Sequence, residues 1–360
     1  MKYYVGLDVS MKETFICIID ETGTIINQGR KKTEPQLIAE YLKKFNLAID
    51  KVGIESGSLS HWLCEELKKL DIPAICIDAR KMAAVLSVQI NKTDKNDARG
   101  IADAMRCKMY TQVAAKSQRS IEIGTLMGSR RILVEQKVKV TNSIRGFLKT
   151  YGIRLPSSGE ESFMQMVKGS LPDKHEIANE GIDALLVCFE KLREEIKKLT
   201  RKIETLARED EDVKRLMTIP GIGPITAMAY KIEIDDPNRF GNSRAVGAYL
   251  GMTPKQYSSG EIKRQGKISK CGSIEVRGLL NEAATVILTR SRRWSKLKAW
   301  GLKIYRKHGF KKACMAVGRK LAVIMHAMWM DQTNFIYGEQ KEDTDKTEQK
   351  IADLGLARAI

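Results

Sequence analysis

The chain has 360 residues, 43% hydrophobic and 29% charged, enough for roughly two or three globular domains. Its net charge of +18 at pH 7 is an excess that folding does not require and that points to a polyanionic partner. Seven cysteines stand singly without a CxxC, only four histidines are present, and no apolar run is long enough for a bilayer, which disfavours a disulfide framework, a zinc site and a membrane span.

Two further exclusions concern location. The N-terminal MKYYVGLDVS enters strand-like sequence with no cleavable apolar leader, so a cytoplasmic, nucleoid-associated protein with reduced thiols is expected. An anionic membrane would favour a basic amphipathic end helix or a lipidation signal, and neither is seen.

Residues 3–9 (YYVGLDV), 13–20 (ETFICIID) and 23–30 (GTIINQGR) read as strands, with DETG at 20–23 as a hairpin signal. A helix over 34–45 follows, with Pro35 near its first turn, then a strand over 51–56, a helix over 59–70 and a strand over 72–78. A further helix holds Asp94 and Asp97 and runs to about Arg106. The order β-β-β-α-β-α-β-α predicts a mixed α/β sheet.

From about 117 to 215 the pattern is helical throughout. Ile182, Leu185, Phe189, Leu192, Ile196, Leu199, Ile203 and Leu206 recur with 3-4 spacing, an a/d heptad seam. An antiparallel intramolecular helix pair and a dimerising coiled coil both account for it, and the strict period with charged flanks favours the coiled coil.

TIPGIGPITA (218–227) resembles a helix-hairpin-helix turn, in which the backbone N–H groups around Gly221 and Gly223 can face a phosphate. Between Glu261 and Lys312 there are 15 Lys/Arg against three acids, interleaved with Trp294, Trp300, Tyr305 and Phe310. A solvated helix face normally mixes signs, so this region reads as nucleic-acid-binding. The polar tail EQKEDTDKTEQK (339–350) reads as flexible.

The carboxylates form a second pattern. The element order resembles a ribonuclease-H-like sheet, in which metal-binding acids sit mid first strand, at the end of the fourth strand and on a late helix. Asp8 lies in YVGLDVS, Glu55 in VGIES, and Asp94 and Asp97 at the start of the late helix, three apart and so on one helix face. Such a set suits Mg2+, which takes hard oxygen ligands, keeps waters and is completed by substrate phosphate oxygens. A pair of such ions can stabilise both oxygens of an in-line phosphoryl displacement. Taken singly, each acid also has an ordinary role: a surface or turn charge for Asp8, a strand end for Glu55, favourable first-turn charges for Asp94 and Asp97.

YVGLDVS, VGIESGS and NKTDKNDARGIADAM resemble the acidic motifs of the DEDD insertion-sequence transposases, a family that includes Piv-type DNA invertases and bridge-RNA-guided serine recombinases. LMTIPGIGPITA, RFGNSRAVGAYLGMTP and GKISKCGSIEVRGLLNEAA are similar to the C-terminal domain of that family. The resemblance implies a RuvC-like domain over 1–115, a helical segment for oligomerisation and nucleic-acid contact over 116–212, a C-terminal transposase domain over 213–335 and a tail over 336–360. It implies that Asp8, Glu55, Asp94 and Asp97 bind Mg2+, two ions per site, and that Ser259 in TPKQYSSG forms a covalent phosphoserine link to DNA. It also implies a homo-oligomer, dimer or tetramer, that joins donor and target DNA under direction of a structured guide RNA.

From the residues alone, Ser-Ser-Gly after Tyr257 reads as a turn, and Ser258 competes with Ser259 for the role. Lys263, Arg264, Lys267 and Lys270 follow closely enough to clamp phosphates. Lys92, Arg119, Arg130, Arg131, Lys137, Lys139, Arg145 and Arg277 complete the expected nucleic-acid contacts. Two features depart from the family pattern: Asp78-Ala79-Arg80 where many members have Asn-Pro, and SIEIGTLMGSRR, which is less arginine-rich than usual. Three other functions compete. A RuvC-like junction nuclease would use water as nucleophile, an actin- or sugar-kinase-like ATPase would need a second glycine-rich phosphate loop not found here, and a non-catalytic nucleic-acid binder would leave the acid set without a purpose.

Overall fold

A computed structural model of the chain describes residues 1–87, 93–168, 170, 175–259 and 262–337, with backbone alone at 262 and 263. The chain divides between Lys116 and Ser117 into two compact units.

The first unit holds strands β1 (Tyr3–Val9), β2 (Glu13–Asp20), β3 (Ile25–Lys32), β4 (Ile49–Glu55) and β5 (Ala74–Ile77), in the order β3-β2-β1-β4-β5. β1 is central, antiparallel to β2 and parallel to β4. This mixed five-stranded sheet is consistent with a ribonuclease-H-like domain. Alternation of side chains sorts its two faces. Val5, Leu7, Val52 and Ile54 are buried against Ile38 and Leu42 of α1 (Pro35–Lys43) and against Leu63 and Leu67 of α2 (Ser60–Lys69). Cys17 and Ile19 on the other face meet Ala98 and Ala102 of α4 (Asp94–Arg106).

The expected element order is found, with one addition, α3 (Ala79–Leu86). Asp78 caps it, its carboxylate accepting from the Lys81 N–H at 3.0 Å. One of the two departures from the family pattern is thus a helix start.

Two glycines let α4 lie close on the sheet. A Cβ at Gly6 of β1 would collide with the backbone of Ala98 and Ala102, and one at Gly53 of β4 would press on the Met105 and Ile101 side chains. Thr93 starts α4, its hydroxyl accepting from the Asn96 N–H at 3.2 Å. Asp94 and Asp97 occupy the first turn, where the helix dipole favours negative charge.

The second unit begins with α5 (Gln118–Thr150), α6 (Glu160–Val167) and α7 (Glu176–Glu209). Ile123 and Met127 of α5 share a core with Ile203 and Ala207 of α7, while Ile144 and Leu148 pack with Ile182, Leu186 and Phe189. The two long helices are therefore an antiparallel pair within the chain. Of the heptad residues, Ile182, Phe189, Ile196 and Ile203 are buried, and Leu185, Leu192, Leu199 and Leu206 are half-buried. The seam thus finds its cover in α5, the first of its two readings.

α8 (Glu211–Leu216), α9 (Pro224–Ile234), α10 (Ser243–Tyr249), α11 (Ile274–Thr289), α12 (Lys296–His308) and α13 (Phe310–Met330) build a helical core. Asp235 ties it to α5, accepting from the N–H and hydroxyl of Ser117 at 2.8 and 2.6 Å. Buried Tyr230 donates to the Ala322 carbonyl at 2.7 Å.

A two-stranded hairpin, β6 (Pro254–Ser259) with β7 (Ile262–Ile268), stands between α10 and α11, and every residue of β6 is exposed. Its base is tightly built. A Cβ at Gly251, whose φ is +68°, would strike Lys270 and Cys271, and a Cβ at Gly272 would strike Tyr249 and Leu250. The two chain passes therefore cross where only glycine fits. Buried Arg277 joins them, donating through Nη1 to the Leu250 carbonyl at 3.0 Å and the Gly272 carbonyl at 2.6 Å.

Two stability experiments follow from these close approaches. Gly6→Ala is expected to cost about 3 kcal/mol through overpacking against helix backbone, read as a lower urea midpoint. An unchanged midpoint would mean that α4 does not sit on β1 in this way. Arg277→Met keeps much of the apolar stem but strands two carbonyls, and is expected to lose roughly 2–4 kcal/mol. Lys267→Met, on the exposed strand, should stay within about 0.5 kcal/mol.

Candidate functional site

The carboxylates are brought together by register. Leu7 pairs with Ile54 across β1 and β4, so the next step along both strands sets Asp8 beside Glu55. Asp8 shares the pleat side of Gly6, and Glu55 that of Gly53, which is the side covered by α4. On the other flank, Asp8 pairs with Phe15, and Phe15 with Arg30.

The first turn of α4 lies over this end of the sheet. Asp94 and Asp97 precede Ala98 and Ile101 by one turn, extending the stripe that faces the strands. Arg30 holds Asp94, Nη2 to Oδ2 at 3.4 Å, and also reaches Glu13 at 3.6 Å. Asp8, Glu55 and Asp97 are half-buried, whereas the Asp94 side chain is 65% exposed. An exposed pair of this kind contributes at most about 1 kcal/mol, so Arg30 holds Asp94 loosely.

All four donors are carboxylate oxygens, the ligand type of a hard divalent cation. Among the described residues, no three His, Cys, Asp or Glu side chains are already gathered as a metal-holding cluster. The four acids thus share one end of the sheet without a closed cage. Arg30 was not foreseen, because its place depends on the β2–β3 register, which local sequence does not reveal.

Ser258 and Ser259 lie at the far end of β6, Ser258 opposite Lys263 and Ser259 opposite Ile262. The residues of the turn itself, 260 and 261, are outside the described set. Alternation puts Ser259 on the face of Tyr257 and Arg264, and Ser258 on the opposite face. The two candidate serines therefore present to different sides of an exposed ribbon. The ring of Tyr257 covers Gly266, where a Cβ would come to 3.0 Å of it.

The expected nucleic-acid contacts fall into three groups. Arg119, Lys139, Arg264, Lys267 and Lys270 are exposed. Others are engaged within the chain. Arg131 bridges Glu135 at 2.8 Å and Glu275 at 3.7 Å, and Lys137 pairs with Glu160. Arg130 donates to the Thr200 hydroxyl at 2.7 Å, and Arg145 to the Leu155 and Pro156 carbonyls at 2.7 and 3.0 Å. Arg277 is turned inward to the hairpin base, so a phosphate reaches it only if that base opens. Lys92 and the Lys263 side chain lie outside the described residues.

Gly221, at φ +79°, packs against α11, where a Cβ would sit 2.9 Å from the Ala283 carbonyl oxygen. Its glycine is accounted for by that helix contact. Gly223 caps α9 and has open space at its Cβ position.

Two family models match the chain, a DEDD-type IS110 transposase model over residues 5–153 and one described as Transposase IS116/IS110/IS902 family over residues 213–299. The first spans the whole acid set and the second spans the hairpin. The transposase for insertion sequence element IS1328 of Yersinia enterocolitica is 29% identical over 338 residues, 92% of this chain and 98% of the relative. The transposase for IS1111A of Coxiella burnetii is 28% identical over 341 residues, 93% of this chain and 91% of the relative. A pilin gene-inverting protein of Moraxella bovis is 24% identical over 342 residues, covering 91% of this chain and 95% of its own length. No helix among the described residues is long and apolar enough to cross a membrane. With two models in chain order taking up well over half of its length, the chain belongs to the IS116/IS110/IS902 family of transposases.

Proposed function

We propose that the chain cleaves and rejoins DNA strands in a Mg2+-dependent recombination reaction, with Asp8, Glu55, Asp94 and Asp97 as the ligands of two ions. The observation that carries this reading is that Asp8 and Glu55 stand side by side at one end of the sheet, with Asp94 and Asp97 in the first turn of the helix that covers it. An open set of carboxylates is what Mg2+ uses when substrate phosphate oxygens complete its shell. Bound there, the cations would supply the positive charge that stabilises a phosphoryl displacement. The chain's own part is to hold the acids in register and to release Asp94 from Arg30 as a cation arrives. Names of relatives support DNA as substrate: they are insertion-sequence transposases and a gene-inverting protein.

In the full proposal the nucleophile is Ser259. Its Oγ loses its proton and forms a bond to a DNA phosphorus, the bond to one nucleoside oxygen breaks, that oxygen takes up a proton and leaves as a free hydroxyl, and the phosphoserine ester keeps the bond energy for rejoining to a nucleoside hydroxyl. Exposure at a hairpin end makes Ser259 accessible to a strand. Exposed Arg264, Lys267 and Lys270 follow along β7 and just past it and are proposed to hold the phosphates on either side, with Arg119 and Lys139 meeting the backbone elsewhere. A second reading keeps the acids and gives the attack to water, as in a RuvC-like junction nuclease. It is favoured by the acids forming a set within one unit, with no need of the serine.

Finer parts of the proposal concern partners. A structured guide RNA encoded with the element is proposed to choose the DNA sites, and the gap at Gly223 to receive a phosphate as a helix-hairpin-helix turn does. The half-buried row Leu185, Leu192, Leu199 and Leu206 is proposed to serve a homo-oligomer as a coiled-coil edge. The regions 116–212 and 213–335 would then be an assembly segment and the serine-bearing domain. The site of action is proposed to be the cytoplasm, at the nucleoid.

One experiment separates the two readings. The purified protein is incubated with Mg2+ and a DNA fragment spanning an element end, and covalent adducts are resolved on a denaturing gel. Asp8→Asn and Glu55→Gln should each reduce cleavage at least about a hundredfold while thermal unfolding is unchanged. Ser259→Ala should abolish the adduct and Ser258→Ala should keep it. Cleavage without an adduct in every protein would select the water reading. Cleavage by Asp8→Asn at the normal rate would overturn both.

A further inference from the structure

The helix α12 carries an unusual outer face. Taking 3.6 residues per turn, Lys296, Trp300, Lys303 and Lys307 fall within about 60° of one another. The buried residues Leu297, Lys298, Gly301 and Leu302 occupy the opposite side. There α12 is pressed onto its neighbours, since a Cβ at Gly301 would run into Val317 of α13 and Leu288 of α11. The orientation of the outer stripe is thereby fixed. Trp300 stands in its midst, 38% exposed.

On two other helices outer lysines are paired with acids three residues away. On α2, Lys68 and Lys69 pair with Glu65 and Glu66 at 2.8 and 2.7 Å, and on α7 Lys191 and Lys198 pair with Glu194 and Glu195. Not one Asp or Glu occurs from Ala283 to Met330. Among the described residues no ion pair engages Lys296, Lys303 or Lys307. Three cations at their intervals along about 16 Å of helix match roughly the rise of five nucleotides of one strand. Between them stands Trp300, with 38% of its surface open. Cations that follow a backbone, with an aromatic platform between, are the recognition chemistry of unpaired nucleic acid.

We propose that the outer face of α12 is a docking track for a single-stranded nucleic-acid segment, with Lys296, Lys303 and Lys307 on phosphates and one base stacked on Trp300. The track is distinct from the hairpin and its serines. It rests on the reading that the protein handles nucleic acid, and deepens it by naming an unpaired strand as a ligand. The occupant proposed is an unpaired DNA strand, as opened at an element end, in line with relatives that are insertion-sequence transposases and a gene-inverting protein; a loop of RNA offers the same chemistry and is an outcome of the test.

The test measures binding of the full chain to unpaired DNA and RNA oligonucleotides of equal length, without divalent cation, across a salt series. Trp300→Ala should weaken binding roughly tenfold, with Trp300→Phe nearer to wild type. Replacing Lys296, Lys303 and Lys307 together by Ala should lower the slope of log affinity against log salt by about 2. The charge-matched control Lys68→Ala/Lys69→Ala/Lys191→Ala, at lysines paired with acids, should leave the slope unchanged. Loss for DNA, with or without loss for RNA, supports the track, and loss for RNA alone would overturn DNA as its occupant. Variants that bind both oligonucleotides as wild type does would overturn it, as would a Trp300→Ala protein altered only in its sedimentation. If the wild-type protein binds neither oligonucleotide nor duplex, the nucleic-acid reading itself falls, a result separable from failure of the track.

Discussion

The acid-bearing end of the first unit depends on one steric constraint, the seating of α4 on Gly6 and Gly53. Without Cβ atoms at these places, helix backbone and strand backbone approach until Ala98 and Ala102 meet β1. Such a contact fixes the helix along its axis as well as its height above the sheet. A larger side chain would let α4 rise or slide, and a slide of one residue would carry Asp94 and Asp97 about 1.5 Å past the end of β1. Ligand sets need positions good to about half an ångström, so the glycines are as much a part of the candidate site as the acids.

Charge is distributed with a matching logic. The chain is strongly basic, yet four carboxylates lie toward one end of one sheet, where Arg30 reaches Asp94 at 3.4 Å. Repulsion among those acids, and between them and a phosphodiester, is relieved only by cations. The basic excess lies largely in the second unit, where the span from Ala283 to Met330 carries no acid at all. Most of the net positive charge thus falls on the unit that does not hold the four acids, in keeping with a cation site and a separate surface for holding the polyanion.

How far the sequence disclosed this arrangement depends on whether each feature is local. The strands and helices of the first unit follow from alternation, turn residues and helix periodicity, and Asp8, Glu55, Asp94 and Asp97 were grouped because the element order resembles a ribonuclease-H-like sheet. Arg30 could not, since it meets Asp94 only through the β1–β2–β3 register. The hairpin β6–β7 escaped because Pro254–Ser259 and Ile262–Ile268 are rich in Lys, Gln and Ser and lack the apolar alternation of a half-buried strand. Arg277 read as one cation in a basic run, and its burial follows only from the crossing of two chain passes at Gly251 and Gly272. The α7 seam shows a period that either a second copy or α5 could satisfy, and periodicity alone does not choose between them.

The central claim is that the four acids act together on a divalent cation. Titration calorimetry of Mg2+ into the full-length protein, repeated with Asp8→Asn, Glu55→Gln and Asp97→Asn, tests it most directly, with circular dichroism to verify the fold of each variant. The account predicts saturable binding by the wild type that each substitution weakens by an order of magnitude or more, because a hard cation loses a charged ligand in every case. Identical isotherms for the wild type and all three variants would contradict it.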